Sequence, residues 1–160
     1  MTAPSPTDRA TPTAEHLADG YQTLVTISAD TDIDVWEKTV TPPELDGGDL
    51  IEQTTMHNSN VTTFKPQSLY SVGDIVFKCG YSLDSYAQIQ DIINTNTTIT
   101  VTLPGGDQAA FFGAVTKFTP DENSKGTMPE ATCTIGVTNV DPVSGDEEVP
   151  VFVTSAGTTL

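Results

Sequence analysis

Basic side chains are nearly missing from this 160-residue sequence: Lys and Arg together number 6, a single one of them Arg, against 22 Asp and Glu, for a formal charge of −16. Binding nucleic acid through its phosphates requires clustered Lys and Arg, so that function class is excluded, and attraction to an anionic lipid surface goes with it. No apolar run approaches the roughly 20 residues that span a bilayer. The opening MTAPSPTDRATPTAEH has no apolar centre of a signal peptide, so a soluble protein made without a cleaved export signal is expected. There are 2 Cys, 2 His and 1 Trp. Neither a disulfide framework nor a His-rich or Cys-rich metal site can be built from so few, and a chain of this length buries one core without such staples.

Threonine is abundant instead, with 27 residues, and Asp outnumbers Glu 14 to 8. Thr and Val favour strands, so a mainly β fold is expected. Few Lys with excess Asp also resembles proteins from extremely salty cytoplasm, where a Debye length of about 3 Å in molar salt screens such a charge from itself. An ordinary acidic protein is the plainer reading.

Hydrophobic periodicity maps the chain. Residues 1–20 carry no periodic apolar pattern and read as a flexible N-terminal arm. Tyr21 to Ser28 and Ile33 to Val40 read as strands, the second ended by Pro42-Pro43. Thr41 to Asn60 is a polar connection without evident secondary structure, yet Leu45, Leu50, Ile51 and Met56 lie along it. A compact domain rarely keeps so long a loop unless it is functional or disordered, and a disordered one would be poorer in large apolar residues, so an assembly arm is expected.

Beyond the loop, Val61 to Lys65 and Asp74 to Tyr81 alternate, the latter with Ile75, Phe77, Cys79 and Tyr81 on one face. Ser82 to Asn94 has the features of a helix: Ser82 as cap, Asp84 in the first turn, and Leu83, Tyr86, Ile89, Ile92 and Ile93 as an apolar stripe. Thr97 to Leu103 and Ala109 to Phe118 form a hairpin around Pro104-Gly105-Gly106-Asp107. Glu130 to Asn139 is a further strand, with Ala131, Cys133, Ile135 and Val137 inward. Residues 142–160 read as a C-terminal tail with a short strand at Val149 to Val153.

Chemical motifs are scarce. Asp30, Asp32 and Asp34 imitate the start of a calcium loop, but Val35 stands where Gly is required and Thr41 where Glu is required, so the three read as a solvated face. His57 has only His16 as a second imidazole and reads as a hydrogen-bonded loop residue. Cys79 and Cys133 read as buried free thiols, with a disulfide open only if their strands are adjacent. The sequons at Asn60 and Asn96 are of a kind a Thr-rich chain produces by chance. No nucleophile elbow, P-loop or dinucleotide motif is present, so neither an active site nor a cofactor is expected.

The segments GGDLIEQTTMHN, GDIVFKCGYSLDSYAQIQDIINTN, ITVTLPGG and PEATCTIGVTNVDP occur in this order. From Ile33 to Pro142 the chain thereby resembles the major tail tube proteins of long-tailed viruses of bacteria and archaea. The charge balance adds the expectation of a salt-loving archaeal host. The resemblance implies a β-sandwich or half-barrel over residues 21–141 with one flanking helix, and hexameric rings stacked into a tube through which double-stranded DNA passes without being bound. It also implies partners among other tail proteins (tape measure, terminator, baseplate), a place in the virion tail, synthesis in the host cytoplasm, and no membrane. Gly47 to Asn58 is carried over as the inter-ring loop, so Leu45, Gly47, Gly48, Leu50, Ile51, Thr54, Thr55, Met56, His57 and Asn58 are its candidate contact residues. Glu37, Glu52, Glu130, Thr132 and Thr134 are the candidates for a polar or lumen-facing surface. An acidic lumen would repel phosphates at short range, while acid spread over the outside would suit a saline host. The alternative reading is an acidic β-sandwich adhesion or carbohydrate-binding module of a virion or surface protein.

Overall fold

Thr alternating with Ile and Val fills the strands of the main sheet, and the period of two gives that sheet one apolar and one polar face. In the computed structural model, residues 23–28, 33 and 35–155 are described. The elements are β1 (Leu24–Ser28), β2 (Trp36–Thr41), β3 (Leu45–Asp46), β4 (Ile51–Glu52), β5 (Phe64–Lys65), β6 (Ser71–Val72), β7 (Ile75–Gly80), α1 (Leu83–Ile92), β8 (Asn96–Thr102), β9 (Gln108–Pro120), β10 (Glu130–Val137) and β11 (Val151–Val153). The fold is mainly β, a curled half-barrel sheet with one helix among the described residues.

The main sheet has seven strands, all paired antiparallel, in the order β1-β8-β9-β10-β7-β2. β9 is the longest strand and serves three neighbours. β8 runs along one edge from Gln108 to Ala114, while β10 covers the other edge from Gly113 to Pro120 and β11 takes that edge over at Gln108 to Ala110. The sheet therefore continues past residue 141 into the C-terminal segment. At the crossover the strands come very close, since a Cβ on Gly113 would lie 2.7 Å from the Gly136 carbonyl oxygen. Only glycine fits there.

Curling brings the two ends of the sheet together. The Val25 amide of β1 donates to the Glu37 carboxylate of β2 at 2.7 Å. Inside the curl lie Val25, Ile27, Ile75, Phe77, Cys79, Ile99, Val101, Phe111, Val115, Cys133 and Ile135, all buried, with Ile33 and Val35 from the segment after β1. These are the inward faces that alternation predicts for β7, β8 and β10.

α1 starts where its chemistry dictates: the Ser82 hydroxyl accepts from the Ser85 amide at 3.3 Å, and Asp84 sits in the first turn. Asn94 ends it in the left-handed region at φ 61°, and its amide donates to the Val115 carbonyl at 2.9 Å, fastening the end of the helix to β9. The expected apolar stripe is only partly used. Ile89 enters the core and Ile92 packs at its margin, but Leu83 is 83% exposed and Ile93 is 40% exposed. The helix lies over the rim rather than across the sheet, so only part of that stripe meets a partner. Tyr86 leans instead on Tyr81 and Phe118, with ring centroids 6.0 and 5.5 Å apart.

Candidate assembly surfaces

The long connection is a projecting β-ribbon, larger than the sequence suggests. Thr41 pairs with Val76 in the main sheet, and four residues further along each limb Leu45 pairs with Val72, so the ribbon prolongs the β2–β7 hairpin in the same register. The Gly73 amide donates to the Glu44 carbonyl at 2.7 Å, Gln67 Nε2 to the Asp49 carbonyl at 2.9 Å, and the Gln53 amide to the Thr63 carbonyl at 2.8 Å. Ile51 and Glu52 pair with Lys65 and Phe64. The expectation of a connection without secondary structure ending at Asn60 is thus corrected: the arm has two paired limbs and returns only at Gly73. The expected strand at Val61 to Lys65 is reduced to Phe64–Lys65 and belongs to the return limb.

Gly47 and Gly48 interrupt the ribbon between its two ladders. Gly48 has φ 72°, its amide donates to Asp46 Oδ1 at 2.8 Å, and a Cβ there would strike the Gln67 side chain at 2.9 Å. At the tip, the Thr55 amide and hydroxyl donate to Asn58 Oδ1 at 3.0 and 3.2 Å. The Asn58 amide returns a bond to the Thr55 carbonyl at 3.1 Å, and Asn58 Nδ2 reaches the Val61 carbonyl at 3.1 Å. The His57 amide donates to the Thr55 hydroxyl at 3.3 Å. Thr54 Oγ1 accepts from the Thr63 amide at 3.1 Å.

The apolar side chains of the arm have nothing over them. Leu45, Leu50, Ile51 and Met56 are exposed, Met56 completely, and the return limb adds Val61, Phe64, Leu69 and Tyr70. Sequence reasoning singled out the first four and missed the last four. Their signal lies between Asn60 and Gly73, where large apolar residues sit in a polar stretch with no period that would place them in a core.

The five polar-face candidates separate into three places. Glu37 pairs with Cys79, so it points toward the core side of the sheet, where it joins β1 to β2. Glu52 belongs to the arm, opposite Phe64. Only Glu130, Thr132 and Thr134 lie together on the face away from the core, opposite Gly80, Lys78 and Val76. Glu37 and Glu52 are therefore not part of that face: strand alternation turns Glu37 inward, and the ribbon carries Glu52 off the sheet.

That outer face is dominated by threonine. Thr26, Thr98, Thr100 and Thr102 continue it across β1 and β8, with Phe112 and Ala110 on β9. Two of its cations are paired, while Lys117, opposite Thr134 on β9, is exposed and has no ion pair among the described residues. Glu130 pairs with Lys38 and, at 3.2 Å, with Lys78, which also meets Asp121 at 2.8 Å. Hydrogen bonds from Lys38 and then Lys78 hold the Glu130 carboxyl below the usual carboxylate range, and hydrogen bonds to Asp121 and Glu130 push the Lys78 ammonium up. Acid is carried elsewhere, by Glu44, Asp46, Asp49 and Glu52 on the arm, Asp84 and Asp91 on α1, and Asp141, Asp146, Glu147 and Glu148 before β11.

Cys79 and Cys133 are buried free thiols on the same face of adjacent strands, two register positions apart, as Cys79 faces Ala131 and Cys133 faces Phe77. Burial, with the Glu37 charge second, pushes the Cys79 thiol up to about 11, and burial, with Cys79 second, pushes Cys133 up to about 12. Asn96, read as a chance sequon, is occupied structurally: its Nδ2 donates to the Val140 carbonyl at 2.7 Å and its Oδ1 accepts from Thr138 at 2.8 Å. His16, Asp30, Asp32 and Asp34 lie outside the described residues, as do 1–20 and the last five positions. No described helix is long and apolar enough to cross a membrane.

An apolar cavity of about 280 Å³ lies at the root of the arm, lined by Pro42, Pro43, Leu45, Leu103, Phe111 and Phe152 among others, with Asp107 and Gln108 as its polar members. Phe152 of β11 meets Phe111 edge-on, centroids 6.2 Å apart.

Among solved structures, this chain is similar to a chain of the anti-feeding prophage (AFP) baseplate, determined by cryo-EM with 6-fold symmetrisation. The TM-score is 0.63 at 8% identity, over 92% of this chain and 99% of that one. The two share a fold. No family model matches the sequence, and no curated protein does. At 8% identity the likeness to the baseplate chain extends to the path of the backbone across nearly the whole of both chains.

Proposed function

We propose that this chain is a structural component of a phage-type tail, and more narrowly a tail tube subunit that forms hexameric rings stacked into a conduit for the viral genome. The observation that carries the reading is the arm: an ordered β-ribbon with eight exposed large apolar side chains projects from a half-barrel whose fold recurs in a baseplate assembly. Such a surface is too apolar and too ordered to stand alone in water, and it is supported as an interface on that ground.

In this reading the Thr-rich face lines the passage. A wall mainly of hydroxyls, with Lys38 and Lys78 offset by Glu130 and Asp121 and Lys117 left as a single unpaired cation, offers phosphates no cluster of free positive charge, so DNA slides without being held, and the loop and arm carboxylates keep the outside acidic. The chain performs no catalysis, requires no cofactor, and meets other tail proteins at the two ends of the tube. Negative-stain electron microscopy of the purified protein tests this. Rings or tubes are expected, and monodisperse monomers at high concentration in molar salt would contradict it.

A further inference from the structure

We infer that Glu37 and Lys38 form a clasp that holds the two end strands of the curled sheet shut in the free subunit, and that its release is the step that commits a subunit to assembly. The inference rests on the self-assembly reading above and adds its regulation.

β1 and β2 end the sheet path, so among the described residues each has one edge without a neighbouring ladder. Val25 and Ile27 turn their main-chain groups to the same side of β1, because alternate residues of an antiparallel strand share an edge. On that edge the Val25 amide is held by the Glu37 carboxylate at 2.7 Å, and Ile27 by an isolated bridge to Ile33. One side chain and one bridge stand where another strand would otherwise pair.

β2 carries the other half of the clasp. Its register with β7 shifts between Glu37 and Thr39, so Lys38 is the extra residue of a β-bulge. Glu37 reaches β1 on the core side, while Lys38 pairs with Glu130 of β10 on the outer face. Two consecutive residues thus fasten the strand from both sides of the sheet. A bulge, an edge lysine and an inward-pointing charge are devices that keep exposed strands from pairing with another chain, and all of them meet at Glu37 and Lys38.

Packing alone does not account for Glu37. It stands opposite the fully buried Cys79. An apolar side chain there would be buried without loss, whereas a carboxylate is tolerated only when hydrogen-bonded. What the carboxylate supplies, and an apolar side chain could not, is an acceptor for the β1 edge. The fastening is also slight. A single charge-assisted hydrogen bond biases the closed state by roughly ten- to a hundredfold, a preference that differential contact with neighbouring subunits can reverse.

Assembly thresholds of the full chain test this. The lowest concentration that yields rings or tubes is measured by sedimentation and negative-stain microscopy for the unmodified protein, Glu37→Ala, Glu37→Gln and Lys38→Met. Ile89→Ala serves as a variant weakened in the core without touching the clasp. Glu37→Ala is expected to lower the threshold about tenfold, and Glu37→Gln, which keeps an acceptor oxygen, by less. Lys38 is exposed, so Lys38→Met spares folding, and it too should lower the threshold, deciding alone if Glu37→Ala does not fold. Ile89→Ala should not lower it. Thresholds for the clasp variants at or above that of the unmodified chain would overturn the clasp while leaving the assembly reading intact. An equal fall for Ile89→Ala, or amorphous precipitate in place of rings, would overturn it as well. Failure of every chain, the unmodified one included, to form rings or tubes would overturn both.

Discussion

The carboxylate of Glu37 accepts the amide hydrogen of Val25 at 2.7 Å, joining the first strand of the sheet path to the last. One side chain thus substitutes for the ladder that a closed barrel would place between these edges. A hydrogen bond to a charged acceptor contributes about 1.5–3 kcal/mol. Glu37→Ala is expected to lower stability by an amount in that range in urea unfolding, and Glu37→Gln, which keeps an acceptor oxygen, by clearly less. Equal losses in the two variants would show that the negative charge, and not an acceptor oxygen at that place, is what matters.

The helix offers a sharper contrast. Ile89 is 2% exposed and Leu83 is 83% exposed, although both belong to the same apolar stripe. Ile89→Ala should cost about 2–5 kcal/mol through lost burial and the cavity left behind. Leu83→Ser should be close to neutral for the isolated subunit. A large loss from Leu83→Ser in denaturant titrations would place the helix across the core instead of over its rim.

Much of this architecture was legible because a period of two is a strong signal when one face is dry. β7, β8 and β10 read directly from Ile75-Phe77-Cys79, Ile99-Val101 and Ala131-Cys133-Ile135. The arm's return limb was not legible, since its two ladders are each only two residues long and neither face is buried, so Phe64, Leu69 and Tyr70 follow no core pattern. Glu37 was misplaced for a related reason. An acidic residue on a strand is ordinarily read as solvent-facing, and nothing local announces that the neighbouring sheet edge needs an acceptor. The acidity itself was visible, but its location was not: most of it lies on the arm, helix and loops, while on the Thr face Glu130 and Asp121 are paired with Lys38 and Lys78.

The two thiols give a pH prediction. With folded-state values of about 11 for Cys79 and about 12 for Cys133 against an ordinary 9.0, the folded chain holds these protons more tightly than the unfolded chain. Their contribution is complete below about pH 9 and is lost as pH rises through 11 and 12. The thermal midpoint should therefore fall with pH above 9 less steeply in a Cys79→Ala, Cys133→Ala double variant than in the unmodified chain. Parallel curves would contradict the burial of these groups. Neither thiol should react with iodoacetamide in the native protein.

Salt should stabilise the subunit. Carboxylates concentrate on the arm, where Glu44, Asp46, Asp49 and Glu52 meet a single Lys65, and before β11, where Asp141, Asp146, Glu147 and Glu148 meet no Lys or Arg of their own segment. Repulsion within such groups is screened as the Debye length falls from about 10 Å at 0.1 M to 3 Å at 1 M. A rise in melting temperature across that range is expected by differential scanning calorimetry. A flat profile would show that the charge is spread too thinly to matter and would remove the case for a saline host.

The arm carries the central claim. Replacing Pro43 to Gly73 with a short Gly-Ser turn leaves every strand of the main sheet in place, because β2 ends at Thr41 and β7 begins at Ile75. Electron microscopy of this variant beside the intact chain, with circular dichroism to verify the fold, is the most direct measurement. The account predicts an unchanged β spectrum, with single rings or monomers and no tubes, and the same outcome for Ile51→Asp combined with Met56→Asp. Long tubes from the armless protein would contradict it.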